Sequence, residues 1–189
     1  LGSGPVTYPI GLVVTSAVGC SDSATQQIQV FPPVTAAFTA PSEGCSPLDV
    51  TLTQQGTNGT QWMWTMGDNT TLVGPIVQHT YVNTGSTDQV FTITQVATSI
   101  YGCTDTVSHD ILVHPVPNAS FIATPFDQQF PAATVNINNT TATGSWSYSW
   151  DFGDDSTSAS IDPITHTYAT WGTFTITLVV HSGGCTDTA

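Results

Sequence analysis

The stretch WDFGDDSTSASIDPITHTY, residues 150–168, decides the fold because the chain holds a second version of it, WTMGDNTTLVGPIVQHTY, at residues 64–81. Both copies begin with a tryptophan, continue through a Gly-Asp turn and end in His-Thr-Tyr. A stretch that recurs with its turn and its aromatic ends intact is typical of a repeated structural unit. We therefore compare every candidate site within it with the other copy.

The repetition extends beyond this stretch. GCSDSA at 19–24 recurs as GCTDTV at 102–107 and as GCTDTA at 184–189. Before each of these three motifs, apolar residues alternate with polar ones, a period of two that predicts a half-buried β-strand. The chain therefore contains parts of three similar units.

Clustered prolines mark the boundaries between the units, at FPPVTAAF (31–38) and HPVPNASF (114–121). Proline cannot donate a hydrogen bond to a sheet, so it ends one ladder and stiffens a short linker. We predict the C-terminal strands of a truncated repeat at residues 1–32, a complete repeat at 33–115, and a third repeat with a truncated last strand at 116–189.

The charge of the chain excludes some functions. It contains no Lys or Arg and 13 Asp plus Glu, for a formal net charge of -13. Without basic side chains it cannot release counterions from phosphates, so we exclude nucleic-acid binding and attraction to anionic lipid. No apolar run approaches the roughly 20 residues that span a bilayer, which predicts no direct membrane insertion. We expect part of a longer secreted protein.

Short apolar runs separated by Gly, Asn, Asp and Pro predict strands and almost no helix. In the complete repeat we predict strands near residues 34–39, 48–54, 60–66, 76–81, 89–98 and 106–113. In the third repeat we predict strands that begin near residues 121, 135, 145, 164 and 173.

Three motifs in order, WDFGDD at 150–155, HTY at 166–168 and WGTFTITLVV at 171–180, resemble the polycystic-kidney-disease (PKD) repeat. The resemblance implies an all-β chain of tandem immunoglobulin-like sandwiches in an elongated array, without intrinsic catalytic activity or a required cofactor. The middle copy departs from the family pattern at Thr65 and Met66, where the family has Asp and Phe. This departure suggests that the core and the turn matter more than the second carboxylate.

Aromatic pairs two residues apart, Trp62 with Trp64 and Tyr148 with Trp150, point to one face of their strand. Large aromatic side chains on one strand face typically fill the core of a sandwich. We interpret them as core rather than as a platform for sugars.

The GCxD motif, together with GCSPLDVTL at 44–52, is similar to motifs in giant multi-repeat surface proteins of gliding bacteria with type IX secretion. This resemblance implies a non-enzymatic extracellular region of a cell-surface adhesin or filament, serving adhesion, gliding motility, biofilm formation or a structural stalk. Its expected partners are neighbouring repeats, other filament subunits, and surface glycans or proteins. The alternative is a spacer or binding module of a secreted polymer-degrading enzyme.

Four cysteines in a secreted chain favour disulfides, and no CxxC spacing indicates zinc. The order of the repeat predicts a Cys45–Cys103 disulfide within the complete repeat. Cys20 would then need a partner upstream of the chain. Cys185 has no obvious partner, because Gln129 stands where the third repeat would have the equivalent of Cys45.

Two interpretations stay open for the acidic turn of the third repeat. Asp151, Asp154 and Asp155 are candidate calcium ligands, because calcium favours clustered carboxylates. The favoured interpretation is a tight turn after Gly153, in which Asp155 and its counterpart Asn69 replace the usual glycine. Asp and Asn tolerate left-handed backbone better than other side chains.

The repeated histidines His79 and His166 lack the spacing of a catalytic triad, so we predict no catalysis. We expect each ring to be half-buried and hydrogen-bonded near its turn. Tyr81 and Tyr168 are expected where immunoglobulin-like folds have a corner tyrosine.

Two further features predict contacts or modification. Trp171 lies in a turn where the family commonly has proline, so it is a candidate exposed contact. Ser23, Thr106 and Thr188 follow Asp in the same register, which resembles a bacterial O-glycosylation acceptor; the other interpretation is polarity at the start of a strand.

Overall fold

The computed structural model describes residues 4–189, so the first three residues of the predicted 1–32 segment lie outside the described residues. Residues 4–189 form strands, turns and loops without a helix, as predicted. The strands are β1 (Val6–Thr15), β2 (Ser21–Val30), β3 (Glu43–Cys45), β4 (Leu48–Thr53), β5 (Gln61–Thr65), β6 (Thr71–Val73), β7 (Ile76–Tyr81), β8 (Gln89–Thr98), β9 (Thr104–His114), β10 (Phe121–Thr124), β11 (Thr134–Asn139), β12 (Ser147–Asp151), β13 (Thr157–Ser158), β14 (Thr165–Thr167), β15 (Thr177–Ser182) and β16 (Cys185–Thr188). No helix in this part of the chain could cross a bilayer.

The chain forms two compact units, each built from several segments. Unit 1 consists of Leu1–Thr39, Leu52–Val77 and Ile93–His109, and unit 2 of Ala40–Thr51, Gln78–Thr92 and Asp110–Ala189. The strands are hydrogen-bonded in the orders β1-β2, β4-β7, β3-β9-β8-β5-β6, β10-β11-β14 and β13-β12-β15-β16.

Unit 1 contains the antiparallel hairpin of β1 and β2, in register from Val6 opposite Val30 to Thr15 opposite Ser21. It also contains β5, which pairs antiparallel with β6 on one side and with β8 on the other. Trp64 of β5 is completely buried, and Phe38 meets its ring edge-on with centroids 5.0 Å apart.

Unit 2 contains the sandwich of the third repeat. Its two sheets, β10-β11-β14 and β13-β12-β15-β16, enclose one hydrophobic core. The buried core residues are Val135, Ile137, Tyr148, Trp150, Phe152, Tyr168, Leu178 and Val180. Phe121 meets Trp150 edge-on with centroids 5.2 Å apart, the same arrangement that Phe38 and Trp64 have in unit 1.

The predicted aromatic core is therefore present in both copies, with Trp62 only half-buried. The indole N–H of Trp64 donates to the carbonyl oxygen of Gly74 at 3.0 Å, and that of Trp150 donates to Ser160 at 2.9 Å. A buried indole needs such a partner because an unpaired polar group inside a core is costly.

Most predicted strands form close to their expected positions, but three short ones were not predicted: β3, β6 and β13. They are two or three residues long, too short to show an alternating pattern, and each forms its hydrogen bonds with a longer neighbouring strand. Residues 34–39, predicted as a strand, form only two isolated bridges, Thr35 with Thr57 and Phe38 with Gln54. The strand predicted from residue 173 begins at Thr177.

Candidate functional site

The most distinctive site is a disulfide that links two successive repeats. Cys45, in the complete repeat, is bonded to Cys185, in the third repeat, across a sequence separation of 140 residues and with the Cα atoms 5.7 Å apart. The predicted Cys45–Cys103 pairing is therefore wrong. Cys103 and Cys20 carry free thiols, the first half-buried and the second exposed.

The direction of β3 shows why Cys45 does not pair with Cys103. β3 runs parallel to the last residues of β9, with Cys45 opposite His114. Cys103 precedes the first residue of β9, an 11-residue strand, and at about 3.3 Å per residue the two ends of β9 are roughly 35 Å apart. A disulfide spans Cα atoms no more than about 7 Å apart, so Cys45 cannot reach Cys103.

His114 lies beside this disulfide and is almost completely buried. Its Nδ1 is 2.9 Å from Asp88 Oδ1, and its Nε2 is 3.5 Å from Glu43 Oε2. The hydrogen bond with Asp88 raises the pKa of His114, against the opposing effect of burial, and Glu43 adds to the increase. The ring is thus held between two carboxylates at the end of β9.

The turn before Cys185 packs directly against the His114 ring. A Cβ atom added at Gly183 would lie 2.6 Å from His114 Nδ1, and the φ of Gly183 is +54°. Any side chain there would both strain the backbone and collide with the ring. A backbone hydrogen bond from Ser145 N to the Ser86 oxygen at 3.2 Å also joins the two repeats, and Ser46 N donates to the His114 oxygen at 2.9 Å within the complete repeat.

The aspartates of the GCxD motifs in the complete and third repeats have a structural role that sequence reasoning missed. Asp105 accepts a hydrogen bond from the backbone N–H of Ala36, and Asp187 accepts one from Ala119, both at 2.8 Å. Ala36 and Ala119 occupy the same place in PPVTAAF and PVPNASF. The signal was therefore available, since the aspartate and the alanine recur together in both repeats.

The acidic turn is a turn, as favoured. Asn69 and Asp155 have φ angles of 73° and 68°, in the left-handed region. Asp151 Oδ1 accepts from Gly153 N at 2.8 Å, and Asp154 Oδ1 accepts from Ser156 N at 3.2 Å. Throughout residues 4–189, no three His, Cys, Asp or Glu side chains group to hold a metal ion, and calcium binding at Asp151, Asp154 and Asp155 stays an untested prediction.

His166 is half-buried and bonded to this turn, as expected. Its Nε2 lies 2.9 Å from Asp154 Oδ2 and 3.4 Å from Ser156 Oγ. In a catalytic triad the acid and the hydroxyl contact different ring nitrogens, whereas here both face the same nitrogen. The hydrogen bond from the Ser156 hydroxyl, with help from His166, lowers the pKa of Asp154 against the opposing effect of partial burial.

The aromatic neighbours of His166 complete a rigid stack. Its ring lies parallel to Phe152, with centroids 4.3 Å apart, and edge-on to Tyr168. The Tyr168 hydroxyl donates to the carbonyl oxygen of Phe152, 16 residues upstream, at 3.0 Å. A corner tyrosine bonds to backbone only a few residues upstream, so the corner role of Tyr168 stays a prediction. Burial raises the pKa of Tyr168, and the charge of Asp154 adds to the increase. In the complete repeat, the half-buried His79 meets Tyr81 edge-on.

Trp171 is 84% exposed. It lines a groove of the third repeat with other aromatic side chains, among them Phe126, Phe130 and Phe174. Phe126 is exposed as well. A contact role for Trp171 remains a prediction.

The three hydroxyl residues of the candidate glycosylation motif, Ser23, Thr106 and Thr188, lie on β2, β9 and β16 and are all exposed. A modifying enzyme could reach each of them in the folded chain. Their glycosylation remains a prediction.

A family model of the PKD domain matches residues 31–113 and 112–189. No curated protein sequence matches the chain. Similar solved structures include the fibronectin(III)-like modules of CbhA from Clostridium thermocellum, with 10% identity over 81% of this chain and 90% of that chain and a TM-score of 0.39. The amphioxus IgVJ-C2 molecule has 8% identity over 78% of this chain and 96% of that chain, with a TM-score of 0.36.

The assignment rests on the family match, which covers well over half of the chain, and on the repeated sandwich core. PKD domains are extracellular modules that are typically non-catalytic, and an intrachain disulfide fits an oxidising compartment. The chain belongs to the PKD-domain family and consists of tandem immunoglobulin-like PKD repeats.

Proposed function

We propose that the chain is a non-enzymatic, load-bearing region of a large cell-surface adhesin or filament. The observation that carries this proposal is the disulfide between successive repeats. A disulfide inside one sandwich would protect that sandwich alone. A disulfide between repeats also protects the junction, where a tandem array would otherwise separate under tension.

The position of the disulfide determines the path of a pulling force. Tension that enters before Cys45 and leaves after Cys185 passes through the sulfur bridge, so the 140-residue separation between them carries almost none of it. The bypassed segment includes almost all of the third repeat and most of the complete one. The part of each sandwich between Cys45 and Cys185 cannot extend while the bridge is intact.

The chemistry of the surface fits an extracellular life on a crowded cell surface. With 13 acidic residues and no Lys or Arg, neighbouring molecules repel one another, and no cleavage site exists for a trypsin-like protease. Glycosylation at Ser23, Thr106 and Thr188 would add further protection to exposed strands. Trp171 is the side chain we propose for contact with a filament subunit, a surface glycan or a surface protein.

Labelling and deletion test this proposal. Antibodies raised against the chain should label intact, unpermeabilised cells, and deletion of residues 33–189 should reduce attachment or surface movement. A Trp171→Ala variant separates a contact role from a structural role, because it should weaken attachment while the amount of protein on the surface stays the same.

The alternative, a spacer in a secreted polymer-degrading enzyme, predicts different results. The polypeptide would then carry a catalytic domain, appear in the medium with hydrolytic activity, and leave attachment unchanged when residues 33–189 are deleted. Those results together would contradict the proposed function.

A further inference from the structure

Cys103 and Cys185 stand in the same local surroundings, although only Cys185 is bonded. Each lies in a GCTDT motif that leads into the last strand of its repeat. In each motif the aspartate two residues later accepts a 2.8 Å hydrogen bond from the first segment of the same repeat. The free thiol of Cys103 therefore occupies the same position in its repeat as the bonded sulfur of Cys185 does in the third repeat.

The preceding repeat also meets the two turns in the same register. Phe31 and His114 each precede the first proline of a linker, and Tyr101 and Gly183 each lie two residues before the cysteine. The Phe31 ring stacks on Tyr101 with centroids 4.5 Å apart. The His114 ring packs on Gly183, where an added Cβ would lie 2.6 Å from Nδ1.

At the second junction, the bonding partner comes from β3. This strand lies parallel to the end of β9 and places Cys45 opposite His114. Within residues 1–32 the counterpart of β9 is β2, which ends at Val30 just before Phe31. A strand like β3 beside the end of β2 would place its cysteine opposite Phe31, next to the turn that contains Cys103.

The β1–β2 hairpin exposes an apolar face whose counterpart is buried in the complete repeat. Tyr8 and Ile10 are 54% and 52% exposed, whereas Phe91 and Ile93, at the same positions of the complete repeat, are 5% and 0% exposed. Ile28 shows the same contrast with the buried Ile111. The remaining strands of the same sandwich, including a β3-like strand, fit this face residue by residue.

We infer that Cys103 forms a second inter-repeat disulfide. Its partner is a cysteine on a β3-like strand of the preceding repeat, the repeat to which β1 and β2 belong. The Cys45–Cys185 bond and the Cys103 bond then join three successive repeats, and the third repeat, which has Gln129 in place of the β3 cysteine, does not continue the series. This inference holds whether the repeats belong to an adhesin or to an enzyme spacer.

Formation of the bond is a balanced two-electron exchange. The thiols of Cys103 and of its partner lose two protons and two electrons as the S–S bond forms. A small-molecule or protein disulfide of the oxidising compartment accepts them and is reduced to two thiols.

Disulfide mapping of the full-length natural protein tests the inference. The protein is isolated without reductant, its free thiols are alkylated, and it is digested with pepsin, since the described chain has no Lys or Arg for trypsin. The expected result is a peptide in which Cys103 is bonded to a cysteine N-terminal to this chain. Alkylated Cys103, a Cys20–Cys103 bond, or a Cys103 bond to a second polypeptide would overturn the inference.

A pair of variants in the full-length protein provides an independent readout. Cys103→Ser should release one new alkylatable thiol, located N-terminal to this chain. Cys185→Ser is the matched control and should release the thiol of Cys45 instead. If Cys103→Ser releases no upstream thiol while the control behaves as expected, the inference fails.

Discussion

The complete repeat and the third repeat bury the same tryptophan in the same way, but they place different residues beside it. Trp64 and Trp150 are both fully buried, and each donates to the backbone carbonyl of the residue ten positions later. On the neighbouring strand, Trp64 is opposite Gln95, whereas Trp150 is opposite Leu178. Gln95 and Leu178 are both completely buried.

The difference between these two positions shows which parts of the repeat are fixed. The tryptophan and its hydrogen bond are kept in both copies, so they define the framework. The position opposite tolerates a glutamine whose amide nitrogen and oxygen find no hydrogen-bond partner among the described residues. The complete repeat therefore carries a buried polar group that the third repeat avoids.

Trp64→Ala and Trp150→Ala give the largest expected effects. Each change removes a fully buried indole and should lower the free energy of unfolding of its repeat by about 3–5 kcal/mol, as large aromatic truncations do. Denaturant unfolding followed by circular dichroism measures both losses. Trp171→Ala is the control, because this exposed side chain should change stability by about 0.5 kcal/mol or less. A loss at only one of the two tryptophans would break the equivalence of the repeats.

Gln95→Leu should stabilise the complete repeat. An unsatisfied buried polar group costs about 1–3 kcal/mol, and leucine at this position removes that cost with little change in volume. Leu178→Gln in the third repeat is the reciprocal control and should destabilise by a similar amount. Equal or lower stability of Gln95→Leu in thermal unfolding would show that the glutamine amide has partners.

The two junctions between repeats should differ in how their stability depends on pH. His114 at one junction can titrate, whereas Phe31 at the other cannot. The folded pKa of His114 is raised by Asp88 and Glu43. Its stabilising contribution is therefore complete below the unfolded pKa of about 6.5 and is lost as the pH rises through the folded pKa. Thermal unfolding between pH 5 and pH 9 should show this loss.

His114→Gln is the control for the pH experiment, because it keeps a polar group but removes the titration. The effect should also weaken with added salt, since the Asp88 side chain is 47% exposed. An unchanged pH profile in His114→Gln would assign the dependence to another group.

Substitution of Asp154 gives the smallest expected effect. It tests whether the Gly-Asp turn of the third repeat is only a turn or also a metal site. The folded pKa of Asp154 is lowered, so its contribution is complete above the unfolded pKa of about 3.9 and is lost as the pH falls through the folded pKa. Asp154→Asn should flatten the acid limb of stability in urea unfolding. Added calcium should leave the melting temperature of the unmodified chain unchanged, and an increase that chelator reverses would contradict the turn interpretation.

Much of the fold was predictable because its signals are local. The alternation in residues 89–98 predicted β8 with its bounds, and the Gly-Asp turn predicted left-handed backbone at Asn69 and Asp155. The two-residue spacing of Trp62 with Trp64 and of Tyr148 with Trp150 predicted one buried face, on which Trp64 and Trp150 are completely buried. These signals lie within a few residues of the structure that they specify.

The disulfide was not predictable in the same way. Its pairing depends on β3, a three-residue strand around Gly44 that has no strand signal of its own and forms only against β9. Unless the parallel direction of β3 is known, the order of the repeat favours pairing Cys45 with Cys103, the cysteine of the same repeat. The interaction of His114 with Asp88 and Glu43 was likewise hidden, because three separate segments supply the three side chains.

The force path through the Cys45–Cys185 bridge is the central claim, and pulling a single chain from its two ends tests it most directly. A Cys20→Ser, Cys103→Ser variant avoids bonds between molecules and leaves the bridge in place. Reduction of the bridge should add a contour length of about 480 Å, the span of a 140-residue separation at roughly 3.4 Å per residue. The same total extension before and after reduction would contradict the claim.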